Sequence, residues 1–217
     1  MSNSTQTFLS DADRANVIAA VREVEHTTSG EIVPFVASAS GQYPAALFNG
    51  TLALGLAISI PATWLSGRQD MWSFLICFGV AYTLFFLLLR AFPGMKRFFM
   101  PGAVMDTEVA RAAMQAFHSH GLHRTRDLTG VLIYISIFER RVFVLADKGI
   151  NDKVPPRTWD EIVTMVVGGI REKRQADALC EAIRRCGQLL AEHFPPLADN
   201  PDELPNLIVQ DDESIKP

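Results

Sequence analysis

The sequence predicts a layered α/β domain interrupted by two apolar helices, and three observations lead there. β-branched apolar runs at 31–37, 131–136 and 141–146 lie between segments of helical periodicity. No Asp, Glu, Lys or Arg occurs from Ile32 through Gly67, or between Asp70 and Arg90. Outside those windows, the 217-residue chain retains enough length for one hydrophobic core.

Taken in order, Ser10-Asp11-Ala12-Asp13 reads as a capping box with Asp13 in the usual Glu or Gln place. Val17, Val21 and Val24 then recur at helical spacing until Thr28-Ser29-Gly30, giving a helix over 11–27. Glu31 to Ala37 is a strand, which Pro34 assigns to an edge or a bulge. After the apolar windows, Asp106 to Ser119 carries Val109, Ala112, Ala113, Ala116 and Phe117 at helical intervals and stops at Gly121. Val131–Ser136 and Arg141–Ala146 form two strands whose short joint, Ile137-Phe138-Glu139-Arg140, suits an antiparallel hairpin. Pro156 opens a helix with Trp159, Ile162, Val163 and Val166, broken at Gly168-Gly169, and a longer helix follows over 175–193. Leu207-Ile208-Val209 could lie along a sheet edge, and 210–217 reads as a disordered tail.

Each charge-free stretch holds an apolar window of about 20 residues, enough to cross a hydrocarbon core about 30 Å thick. They predict membrane-spanning helices over 45–65 and 71–91, within an insertion at 44–95. The second window is apolar on every face, whereas a helix of a soluble domain would show a polar stripe. Trp64, Trp72 and Phe92 fall at the predicted interfaces. Arg90, Lys96 and Arg97 follow the second helix, while the turn offers only Arg68 beside Asp70. The positive-inside bias therefore places both chain ends in the cytoplasm, as a multi-pass protein of an inner or plasma membrane. The first forty residues lack a basic segment followed by an apolar run, so no cleavable signal is expected.

A formal net charge of −4, with no long basic stretch, argues against nucleic acid as a partner. Of the three cysteines, Cys77 falls in an apolar window, and Cys180 and Cys186 point to different helical faces, so neither a disulfide framework nor a cysteine zinc site is expected. Cys180 has Cys186 rather than Arg six positions on. The Cys-x5-Arg phosphate loop and a Walker-type loop are absent from the sequence.

Four segments in this order resemble the TPM domain family: Thr28-Ser29-Gly30-Glu31-Ile32-Val33; Gly130 through Val142; Ala146-Asp147-Lys148-Gly149-Ile150; and Phe194-Pro195 with Asp202-Glu203-Leu204-Pro205. The resemblance implies a TPM-like α/β/α sandwich, split here into 1–43 and 96–209 by a two-helix transmembrane hairpin, as in a bacterial membrane-anchored branch. It also implies heterogeneous function: some members are assigned acid phosphatase activity, some bind divalent cations such as calcium, and some assist membrane complexes. Fold transfers more safely than activity.

The candidate metal ligands are Asp147, Glu31 and Glu139. Asp147-Lys148-Gly149 could offer carboxylate and backbone oxygens to a hard cation such as calcium or magnesium, or could simply end a strand. Glu31 and Glu139 read more readily as solvated surface residues. Arg140 and Arg141 follow Glu139 where cation-binding relatives carry acids, which suits a phosphate or an acidic headgroup instead. Lys96 and Arg97, followed by Phe98, Phe99 and Met100, suit the headgroup boundary of a membrane. His118, His120 and His123 do not share one helical face, so a zinc site would need a loop geometry, and His120 reads as a polar helix end. These residues point to a membrane-anchored, noncatalytic TPM-like module, with membrane lipid and a protein of a membrane complex as partners. The competing expectation is a divalent-metal-dependent phosphatase acting on a phosphoester.

Overall fold

The computed structural model describes residues 4–67, 70–125, 127–155, 157–196 and 204–211. Arg68, Pro156 and the acidic 199–203 stretch fall outside the described residues. So does the predicted tail beyond Asp211, while Gln210 ends a strand.

The chain divides into two compact units, Met1–Ser40 with Asp106–Pro217, and Gly41–Met105. In the first unit, α1 (Ser4–Phe8) and α2 (Asp11–Glu25) precede β1 (Glu31–Ala37). The Ser10 capping box forms with Asp13 as its second member, as the spacing predicts. Later come α5 (Gly102–Ser119), whose first residues belong to the second unit, then β2 (Gly130–Ser136), β3 (Arg141–Ala146), α6 (Lys148–Asn151), α7 (Arg157–Arg171), α8 (Gln175–His193) and β4 (Ile208–Gln210).

The sheet order is β3-β2-β1-β4, with β1 parallel to β2 and β4, and β2 antiparallel to β3. Strand alternation sorts the core into two layers. Ile32, Val36, Val131, Ile133 and Ile135 pack with Val17, Val21, Ile162, Val166, Leu179 and Ile183 from α2, α7 and α8. Val33, Phe35, Leu132 and Tyr134 pack on the other face with Val109, Ala113 and Phe117 of α5. Helices thus cover both faces, giving the α/β/α sandwich; both faces of β1 and β2 are buried, as a parallel pair requires.

Two expectations are corrected. Pro34 marks neither an edge strand nor a bulge, because β1 has neighbours on both sides. The Glu31 N–H donates to Thr129 O, so strand alternation turns the Pro34 nitrogen to the opposite side, where β4 pairs only from Phe35 onward. On that same open stretch the Ile32 N–H donates to Glu25 Oε1 at 3.4 Å. Nor does Gly168-Gly169 break a helix: α7 runs through both. A Cβ on Gly169 would fall 2.1 Å from Ala178 Cβ, so the glycine is the notch that lets α8 approach.

The second unit is built on α3 (Pro44–Leu65) and α4 (Met71–Ala91), close to the predicted spans, followed by a 3-10 helix, Pro93–Phe99. Both helices are long and apolar enough to cross a membrane. Small residues on α3 receive bulky partners within the unit. A Cβ on Gly55 would sit 3.1 Å from the Phe78 ring, and one on Gly50 would sit 2.8 Å from Phe99 and 3.2 Å from Leu89. Phe74, Phe78 and Tyr82 form a ring ladder along α4, with centroids 6.1 and 5.9 Å apart.

Candidate functional site

At the C-terminal ends of β1 and β2, where the chain leaves for the second unit, four polar side chains interlock. Tyr134 and Ser136 project from one face of β2 because they are two apart on a strand. Ser40, beyond β1, meets both: its Oγ lies 3.2 Å from the Tyr134 hydroxyl and donates to Ser136 Oγ at 2.9 Å. Glu139, in the β2–β3 turn, accepts from the Ser40 N–H at 3.0 Å and from the Ser136 hydroxyl. The turn is closed onto β1 by the Ile137 N–H to Ala37 O and the Phe138 N–H to Ser38 O, both 3.0 Å. Burial pushes the Tyr134 phenol above its ordinary range; the Ser40 contact opposes this and the Glu139 charge adds to it. With Glu139 only 1% exposed, its carboxylate is a fastener between the exit of β1 and the turn after β2, and is closed to solvent as a general base.

The expectation that Glu139 and Glu31 are solvated is therefore corrected, since Glu31 is also buried, at 4% exposure. Glu31 and Asp147 stand at the other end of the sheet. Glu31 pairs in register with Gly130, and the Asp147 N–H donates to Gly130 O at 2.9 Å. β2 spans seven residues, or about 20 Å at about 3.3 Å per residue, so Glu139 does not share a site with them. Asp147 caps α6, its Oδ1 accepting the Lys148 N–H at 2.7 Å, and its Oδ2 is buried with no hydrogen-bond partner among the described residues. Among the described residues, no group of three His, Cys, Asp or Glu side chains is placed to hold a metal ion.

The four basic candidates are also dispersed. Arg141 makes a 2.5 Å ion pair with Asp106, Arg140 occupies the exposed left-handed position of the β2–β3 turn at φ 54°, and Lys96 and Arg97 lie in the 3-10 helix of the second unit. In the first unit, a groove of about 670 Å³ runs over α8 between α2 and α7. Its charges are mixed: Arg174 and Arg184 against Glu23, Asp177 and Glu181. Burial raises the pKa of Cys180, at its floor, which keeps this thiol protonated.

Sequence reasoning overlooked Ser40, Tyr134 and Ser136. The one signal available was the two-residue alternation of Tyr134 and Ser136, polar tips on an otherwise aliphatic strand.

Comparison with known proteins gives two findings. Residues 103–189 match the TPM domain family. The NMR structure of the BA42 protein from the psychrophilic bacterium Bizionia argentinensis superposes with a TM-score of 0.59 at 23% identity, covering 94% of this chain and 95% of that one. At that identity the likeness establishes the shared fold. No curated protein gives a significant match.

Proposed function

We propose that this chain, which matches the TPM domain family over residues 103–189, is a membrane-anchored, noncatalytic module that binds a protein partner or ligand at the cytoplasmic membrane surface. The polar economy of the second unit carries the reading. All five serine and threonine hydroxyls in α3 and α4 bond locally: Thr51 to Leu47 O at 2.6 Å, Ser59 to Leu56 O at 3.5 Å, Thr63 to Ser59 O at 2.8 Å, Thr83 to Gly79 O at 2.8 Å, and Ser73 to the Asp70 carboxylate at 2.7 Å. Hydrocarbon demands that economy; water does not. Apolar side chains meanwhile face outward along α4, at Ile76, Val80, Leu84 and Leu87. Trp64 and Trp72, each 70% exposed near the turn, suit a headgroup belt. At the other end Lys96 and Arg97 neighbour Phe98, which is 88% exposed, a pairing suited to anionic lipid.

Two measurements test this. The full chain should stay in the membrane through alkaline carbonate extraction; release into the supernatant overturns the anchor. Crosslinking in native membranes should retain a specific protein partner when residues 44–95 are replaced by an unrelated transmembrane hairpin. Loss of that partner assigns recognition to the helices. The buried, unpartnered Asp147 Oδ2 favours a second reading, metal-dependent phosphoester hydrolysis. Turnover supported by Mg²⁺, Mn²⁺ or Ca²⁺ and abolished by Asp147→Ala would replace the first.

A further inference from the structure

We infer that His118 and His123 form a two-imidazole site for a borderline transition-metal ion, separate from the carboxylates above. His118 lies in the last turn of α5, and Gly121, at φ 77°, reverses the chain into the short 3-10 helix that carries His123. This brings the two rings to a centroid distance of 4.9 Å. An ion about 2.1 Å from a coordinating nitrogen stands about 3.2 Å from that ring's centroid, so centroids 4.9 Å apart subtend about 100° at the ion. That angle lies between octahedral and tetrahedral values. His123 Nδ1 is buried with no hydrogen-bond partner among the described residues, leaving a lone pair or proton uncompensated inside the protein. His118 is exposed, so rotation about χ2 can aim one of its nitrogens at the same point, while the His123 ring is partly buried.

The carbonyl end of α5 adds a negative potential favourable to a cation. His120 is not counted among the ligands: its ring packs against Phe35, with centroids 5.5 Å apart. Water therefore fills the remaining positions. Neutral imidazoles select Cu²⁺, Ni²⁺ or Zn²⁺ over the hard cations Ca²⁺ and Mg²⁺.

The full chain in detergent micelles is titrated with Cu²⁺ alone, and calorimetry should give one equivalent bound. His118→Ala and His123→Ala should each weaken binding by at least about tenfold, because each converts a chelate into a single contact. His120→Ala should leave it unchanged. Electron paramagnetic resonance of the bound Cu²⁺ should show two equatorial nitrogens in the parent and one in His118→Ala, a change that mere loss of ring packing would not produce. Absence of stoichiometric binding, a single-nitrogen spectrum in the parent, or equal weakening by His120→Ala overturns the site.

Discussion

Glu139 is the residue on which sequence and structure part most sharply. A glutamate between a strand and two arginines has the composition of a solvated turn tip, yet its carboxylate is buried and receives the Ser40 N–H and the Ser136 hydroxyl. Removing an acceptor strands the donors, which costs more than the bond contributed. Glu139→Ala should therefore destabilise the domain by about 3 kcal/mol, and Glu139→Gln, which keeps one acceptor oxygen, by about half as much. Urea unfolding of the chain in micelles measures both; a loss under about 0.5 kcal/mol for Glu139→Ala would refute the fastener. The polar partners were hard to read because they come from positions about a hundred residues apart, joined only when β1 and β2 pair. Asp147 was easier. An Asp before Lys-Gly at a strand end satisfies local capping chemistry whichever tertiary partners surround it.

At the scale of elements, periodicity was the readable signal, and long-range packing supplied the exceptions. The Ser10 capping box, the α8 boundaries and the β2–β3 hairpin follow from local spacing and emerge as read. Pro34 and Gly168-Gly169 were misread because both residues punish isolated elements and reward particular neighbours. Pro34 depends on how late β4 begins; Gly169 depends on Ala178 arriving at 2.1 Å from where a Cβ would stand. Gly168 meets nothing within 4 Å. The pair thus separates propensity from packing. Gly168→Ala should stabilise α7 by up to about 1 kcal/mol through helix propensity, whereas Gly169→Ala should destabilise the domain by about 1–3 kcal/mol through overpacking. Equal effects of the two substitutions, followed by thermal unfolding, would show that the notch plays no part.

For the whole molecule, one domain is assembled from chain segments on either side of a 65-residue unit, Gly41–Met105, and the parallel pairing of β1 with β2 holds the two parts together. With both apolar helices crossing a membrane, as proposed, the two termini would share a compartment. On the proposed anchoring, Arg90 in the last turn of α4 and Lys96 and Arg97 just beyond it predict, by the positive-inside bias, that the α3–α4 turn faces outward. Ser66 is exposed in that turn and lacks the positive φ of Gly67, which makes it the better place for a probe. Ser66→Cys should react with an impermeant maleimide in intact cells, while Glu192→Cys, exposed on α8, should react only after the membrane is ruptured. The opposite pattern would invert the topology and move the domain outside. Equal labelling of both sites in intact cells would mean that the apolar helices do not separate two compartments, and the anchor itself would have to be abandoned.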